Sequence, residues 1–190
     1  MRRLSPLAPL LLLLALLAPL FVADALAEEA RDPYRHFFND SFFNFQEELE
    51  TAREQGKKGI MLFFEMDECP FCHRMKQQVL NQPQVQDWFR QHFLLFPVDI
   101  EGDIEVVDFQ GNETIQKDLA LKQYRVRATP VIAFFDLEGK LLHKYTGATS
   151  SVEEFLWLGE FVADGHYSST NFTRFKQAKR EAAKPAPNQN

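Results

Sequence analysis

The stretch that decides the fold is Gly59-Ile60-Met61-Leu62-Phe63-Phe64-Glu65-Met66-Asp67-Glu68-Cys69-Pro70-Phe71-Cys72-His73. From Ile60 to Met66 every residue except Glu65 is apolar, a run too short to cross a bilayer and suited to a central strand covered on both faces. Asp67 and Glu68 break the run, and the only two cysteines of the chain follow at C-x-x-C spacing. Pro70 fits the first turn of a helix, which places Cys69 just ahead of that turn. There the unpaired backbone amides and the positive end of the helix dipole favour a thiolate over a thiol. Cys69 is therefore the predicted nucleophile, with Cys72 one turn in and more shielded.

Outward from this stretch, the N-terminus has the pattern of an export leader. Arg2 and Arg3 open it, a leucine-rich run from Leu10 to Leu17 forms its apolar region, and Ala25-Leu26-Ala27 supplies a small-x-small cleavage site. Cleavage after Ala27 leaves 163 of the 190 residues, enough for one domain with extensions, and points to export. Losing Arg2, Arg3 and Asp24 takes 21 basic and 27 acidic side chains to 19 and 26, a balance of −7. Nucleic acid and anionic membrane are thereby disfavoured as partners.

Residues 28–43 form an aromatic, irregular segment expected to lie against the domain surface. Asn44 and Glu47 make a capping box for a helix that stops at Gly56 and buries Phe45, Leu49 and Ala52. The C-x-x-C helix should end near Asn81, before Pro83. A short helix with Val85, Trp88 and Phe89 inward leads to a strand from Phe93 to Val98 that ends at Asp99, with Pro97 expected near the strand's end or at a bulge. An acidic insertion over 100–113 holds one strand-like piece, Val106 to Phe109. A helix is predicted over Thr114–Tyr124, with Ile115, Leu119 and the stem of Lys122 inward. Val131–Phe135 and Leu141–Tyr145 form a hairpin around Asp136-Leu137-Glu138-Gly139, and Ser151 with Glu154 caps the last helix of the domain. The domain is drawn at 44–167, followed by an amphipathic helix at 168–181 and an Ala/Pro/Asn tail at 182–190. Together these elements describe an α/β fold with a mixed central sheet and helices on both faces.

Phe63-Phe64-Glu65, Cys69-Pro70-Phe71-Cys72, Asp99, Val126-Arg127-Ala128-Thr129-Pro130 and Phe134-Phe135-Asp136 with Gly139-Lys140 together resemble the thioredoxin superfamily. Among its branches the chain is most similar to the exported SoxW-like thioredoxins, which share the glutamate four residues before the first cysteine and an Asp-Phe-x-Gly insertion, here Asp108 to Gly111. The resemblance implies a thioredoxin-like fold and a thiol:disulfide oxidoreductase, in which Cys69 attacks and Cys72 resolves. It also implies a redox-active Cys69–Cys72 disulfide in place of any cofactor, and a cis Pro130. Thr129 and Pro130, with Pro70 and Phe71 between the cysteines, are the implied substrate-binding residues, Thr129 through its backbone. The implied partners are a cysteine-containing exported client and a membrane thiol transporter as electron donor, with the protein itself a monomer. The chain departs from ordinary thioredoxins where their buried aspartate stands, since Phe63 occupies that position. Glu65 lies on the same face of the strand as Phe63 and is the candidate base for Cys72. Its bland alternative is a solvated carboxylate at the strand end.

Other readings compete. A bridge closing so short a loop stabilises little, so a purely structural disulfide is a weak account of the cysteines. Cys69 to His73 also spells C-x-x-C-H, a c-type haem attachment signal, although it follows a buried strand and leaves the Thr-Pro element unused. A glutaredoxin-like exchanger and a non-enzymatic binding module on the same fold are the remaining alternatives. No second cysteine or histidine pair at ligand spacing accompanies Cys69 and Cys72, so no metal is expected. His36, His92, His143 and His166 are expected at the surface. Asp67 and Glu68 set negative charge beside Cys69, which opposes thiolate formation and favours a reductant or an isomerase-like exchanger over a strong oxidant.

Overall fold

The computed structural model describes residues 29–184. The leader assigned to 1–27 and the end of the tail, 185–190, lie outside them. In chain order the elements are α1 (Pro33–His36), α2 (Phe45–Glu54), β1 (Gly59–Glu65), α3 (Pro70–Gln78), α4 (Pro83–His92), β2 (Phe93–Asp99), β3 (Glu105–Val107), β4 (Glu113–Ile115), α5 (Gln116–Asp118) running into a π-turn (Leu119–Gln123), β5 (Val131–Phe135), β6 (Leu141–Thr146), α6 (Val152–Ala163) and α7 (Phe172–Ala182). The main sheet has the order β2-β1-β5-β6. β1 runs parallel to β2 and antiparallel to β5, which in turn is antiparallel to β6. The sheet is mixed and lies between two helical layers.

Strand alternation divides the core in two. Met61, Phe63, Leu95, Ile132 and Phe134 face α3, α4 and α6, while Ile60, Leu62, Phe64, Phe96, Ala133 and Phe135 face α2 and the segment around Leu119. All seven residues of β1 are buried, Glu65 included. Gly159 of α6 lets that helix close on α4, since a Cβ there would fall 2.8 Å from the Phe89 ring.

Local signals set several boundaries. Asn44 Oδ1 accepts the Gln46 and Glu47 N–H groups at 3.2 and 3.4 Å, while Glu47 returns its carboxylate to the Asn44 side-chain amide at 2.8 Å. Ser151 Oγ accepts the Glu154 N–H at 3.1 Å. The Glu154 carboxylate turns instead to Ser150 and Lys176, the latter at 2.5 Å, and so ties α7 to the start of α6. Asp136 Oδ1 accepts the Glu138 and Lys140 N–H groups at 3.0 and 2.8 Å, closing the β5–β6 turn.

Several expectations need correction. Residues 29–43 lie against the domain with most of their side chains at its surface, but two of them enter the core. Phe37 and Phe38 are buried, with ring centroids 5.7 Å from Phe89 and 5.9 Å from Phe63 respectively. Asp32 caps α1 there. Asn39 then pairs with Leu95 through N–H to carbonyl (2.8 Å) and N–H to Oδ1 (2.9 Å), covering the free edge of β2. Pro97 falls near the end of β2, as expected, and without a bulge, pairing in unbroken register with Phe63 on the edge strand. The N–H of Leu95 points outward to Asn39, and by the two-residue period the missing N–H of Pro97 falls on the same free edge.

The helix predicted from Thr114 begins only at Gln116, because Glu113–Ile115 pairs antiparallel with Glu105–Val107. The insertion is therefore a hairpin, and Lys122 is exposed, paired with Asp118 at 2.8 Å. The C-x-x-C helix stops at Gln78, three residues early. Of the histidines expected at the surface only His36 is fully exposed, since His92 stacks on Trp88 at 4.1 Å, His166 lies 4.8 Å from Phe175, and His143 is half-buried with its ring 5.1 Å from Phe161 and burial lowering its pKa.

The hairpin is fastened by the Asp-Phe-x-Gly turn. Buried Asp108 accepts the Gln110 and Asn112 N–H groups, both at 2.9 Å, and the Gln123 amide at 2.7 Å. Phe109 packs between Phe45 and Phe135, with centroids 5.0 and 4.5 Å away. Burial opposes the Asp108 charge, but these hydrogen bonds outweigh it and hold the carboxyl below the usual carboxylate range. The stability it contributes is thus fully present above about pH 4 and is lost as pH falls further. Asp108→Ala should cost about 2–3 kcal/mol at pH 7, and its urea stability should fall less steeply than wild type between about pH 4 and pH 2. Parallel acid profiles for the two proteins would contradict this account.

Candidate active site

β1 ends at Glu65, and Met66-Asp67-Glu68 carry the chain round to Cys69, which caps α3. Its Sγ accepts the Cys72 N–H at 3.0 Å, the position in which a helix terminus stabilises sulfur carrying negative charge. Pro70 occupies the first helical turn. Cys69 and Cys72 are joined as a disulfide, with Cα atoms 5.2 Å apart.

The expected contrast in exposure is narrow. Cys69 is 2 % exposed and Cys72 fully buried, because both sit within the apolar cluster on the α3 side of the sheet. What opens toward Cys69 is a shallow depression lined by Asp67, Glu68, Pro70 and His73. His73 Nε2 donates to the Asp67 carbonyl at 2.8 Å and braces that loop. Both acidic side chains are exposed, so an attacking or leaving sulfur at Cys69 passes between negative charges.

The Thr129–Pro130 peptide is cis. β5 begins opposite Phe64, which sets Pro130 at the end of the sheet where β1 turns toward Cys69. The Pro130 carbonyl accepts the Gly147 N–H at 2.9 Å. Thr129 is half-buried, and its Oγ1 has no hydrogen-bond partner among the described residues. Pro70 and Phe71 are both exposed, Phe71 by 56 %, and the Arg74 guanidinium lies 5.2 Å from its ring centroid. Apolar surface and backbone are thus available beside the disulfide.

Glu65 is buried and engaged. Its Oε2 accepts from Lys76 at 2.7 Å and its Oε1 from the Tyr34 hydroxyl at 2.8 Å. Lys76 also donates to the Tyr34 oxygen at 2.8 Å. Burial pushes the Tyr34 hydroxyl pKa up. Burial opposes the Lys76 charge, but its bonds to Glu65 and Tyr34 prevail and raise its pKa. In the disulfide form neither sulfur has a proton, and no hydrogen bond joins Glu65 to either among the described residues. Sequence reasoning missed Tyr34 and Lys76. Lys76 was within reach, standing four residues after Cys72 and hence on the same helix face. Tyr34 carried no such signal, because its contact with Glu65 spans 31 positions.

A C-x-x-C disulfide capping a helix, at the end of a mixed α/β sheet that also carries a cis-proline, defines a site of the thioredoxin kind. Residues 45–163 match the thioredoxin-like domain, and the chain belongs to that family. It is 30 % identical over 100 residues to the disulfide bond reductase DsbH of Chlamydia pneumoniae, covering 52 % of this chain and 58 % of that one. It is 32 % identical over 107 residues to the thiol:disulfide interchange protein DsbD of Photorhabdus laumondii, covering 56 % of this chain and 17 % of that one. The chain thus spans less than two thirds of either relative. The solved structure of a thioredoxin-fold protein from Helicobacter pylori matches with a TM-score of 0.56 and 26 % identity, over 67 % of this chain and 88 % of that one.

The charges at the rim make a separate prediction. Neutralising both in an Asp67→Asn/Glu68→Gln variant should favour the Cys69 thiolate and hence the reduced form, moving the reduction potential about 10–30 mV toward positive values in a glutathione equilibrium. An unchanged or more negative potential would remove these side chains from the account.

Proposed function

We propose that the protein is an exported thiol:disulfide oxidoreductase that reduces disulfides in client proteins through the Cys69–Cys72 dithiol. The observation that carries this reading is the Cys69–Cys72 disulfide itself, held with Cys69 capping α3. The names of the DsbH and DsbD relatives support the same chemistry, and the leader pattern before Glu28 supports export to the periplasm.

In this scheme the reduced Cys69 thiolate attacks one sulfur of the client disulfide. An S–S bond forms between Cys69 and the client, and the other client sulfur leaves with the electron pair. Cys72 then gives its proton to Glu65 and attacks Cys69 Sγ. The Cys69–client bond breaks, the client leaves as its second thiolate and is protonated, and Cys69–Cys72 is left oxidised. The client has gained two electrons. Pro70, Phe71, Thr129 and Pro130 supply the docking surface, in which an extended client segment lies against the Thr129 backbone. The two electrons that the pair gives up return from a donor dithiol, for which a membrane thiol transporter suits an exported protein.

Cys72→Ala should accumulate client complexes that a reductant breaks, while Cys69→Ala should form almost none. Trapping by Cys69→Ala alone would reverse the two roles, and trapping by neither would favour a binding module. The potential should lie nearer about −270 mV than about −120 mV, and a value above about −150 mV would argue for an oxidant. Glu65→Gln should slow release of the mixed disulfide about 10²-fold while sparing the first attack.

A further inference from the structure

The Glu65 carboxylate is the meeting point of three elements. Glu65 ends β1, Lys76 stands on α3 one turn beyond Cys72, and Tyr34 comes from α1. Each carboxylate oxygen has its own donor, at 2.7 and 2.8 Å, and the two donors are joined to each other at 2.8 Å, so the three side chains close a triangle. The side chains of Glu65 and Lys76 are only 10 % and 15 % exposed. The Lys76 ammonium also lies 5.0 Å from the Tyr34 ring centroid.

Of the other charged or titratable groups nearby, Arg31 and Asp32 line the same groove as Tyr34 and Lys76, Arg31 pairing with Asp87 at 3.1 Å and Asp32 capping α1. Asp99, the β2 partner of Glu65, accepts the Glu101 N–H through Oδ1 at 2.9 Å. His73, which shares a groove with Tyr34 and Lys76, donates to the Asp67 carbonyl at 2.8 Å.

We infer that Lys76 and Tyr34 are positioning residues for the release step, holding Glu65 charged and its carboxylate fixed so that it can take the proton of Cys72. This inference rests on the proposed role of Glu65 as the base. The physical need is plain: burial disfavours the charged form of a lone carboxylate, and proton uptake would end its use as a base. The ammonium opposes that proton uptake, and the tyrosine hydroxyl restricts the orientation of the carboxylate. The segment before the family-matched region is thereby part of the redox machinery.

An anchor that merely ties α1 to the domain would alter stability and leave the pH dependence of catalysis alone. The test is therefore the pH profile of the release step, from about pH 5 to pH 9, followed by stopped flow when the reduced full chain reacts with a chromogenic aromatic disulfide. Lys76→Met should move the midpoint of release upward, slowing release several-fold at the acidic end of the range while changing it little near pH 9. Lys76→Arg should restore the wild-type profile. Tyr34→Phe, which removes one hydroxyl from a ring 51 % exposed, should slow release about two- to threefold and keeps the test available if Lys76→Met does not fold. A Lys76→Met or Tyr34→Phe profile that overlays wild type, while Glu65→Gln still slows release, would overturn the inference and leave Glu65 as the base. No effect of Glu65→Gln on release would remove the base and the inference together.

Discussion

The structure depends first on the burial of β1. Paired on both edges and covered on both faces, the strand from Gly59 to Glu65 gives nearly all its side chains to two phenylalanine-rich cores. Side chains of this size contribute about 1.5–3 kcal/mol each when fully buried, so β1 is the least movable part of the molecule. The turn that follows inherits that rigidity, and Cys69 is held where the α3 amides converge. A dithiol placed on a loop remote from the core would have its spacing but not its orientation fixed.

The site combines two opposed electrostatic settings within one turn of helix. Outside, Asp67 and Glu68 border the opening to Cys69 and penalise negative charge on that sulfur. Inside, the helix start and the Cys72 N–H favour it. Behind them lies the Glu65 cluster, where a cation and a hydroxyl compensate a buried carboxylate. The chemistry assigned to the dithiol needs a sulfur that is ready to attack yet not so stable as a thiolate that it refuses to give up its electrons.

How far these features were legible from sequence depended on whether their causes are local. Asn44, Pro70, Ser151 and Asp136 organise the few residues beside them, and the boundaries they imply appear in the structure to within a residue or two. The apolar runs of β1 and β5 were equally clear. Glu113–Ile115 read as the start of a helix because its strand pairing is made with residues 105–107, which no local pattern announces. Phe37 and Phe38 read as surface aromatics because nothing near them in sequence shows that Phe63, Phe89 and Phe155 leave room for them. In the site, the cysteines were marked by their spacing and Glu65 by strand alternation, while Pro130 came through the resemblance. Tyr34 and Lys76 were not, since their importance comes from a carboxylate on another element.

The N-terminal segment changes where the folding unit begins. The family pattern starts at Phe45, yet Phe37 and Phe38 fill the core ahead of it, and Arg90 donates to the Phe38 carbonyl at 3.0 Å. Asn39 meanwhile completes the outer edge of β2. A chain cut at the family boundary would carry a void against Phe89 and Phe155 and an open strand edge, the two features that make α/β domains self-associate. The folded unit of this chain is accordingly longer than its recognisable signature, with Phe37 and Phe38, which precede that signature, belonging to the domain's interior.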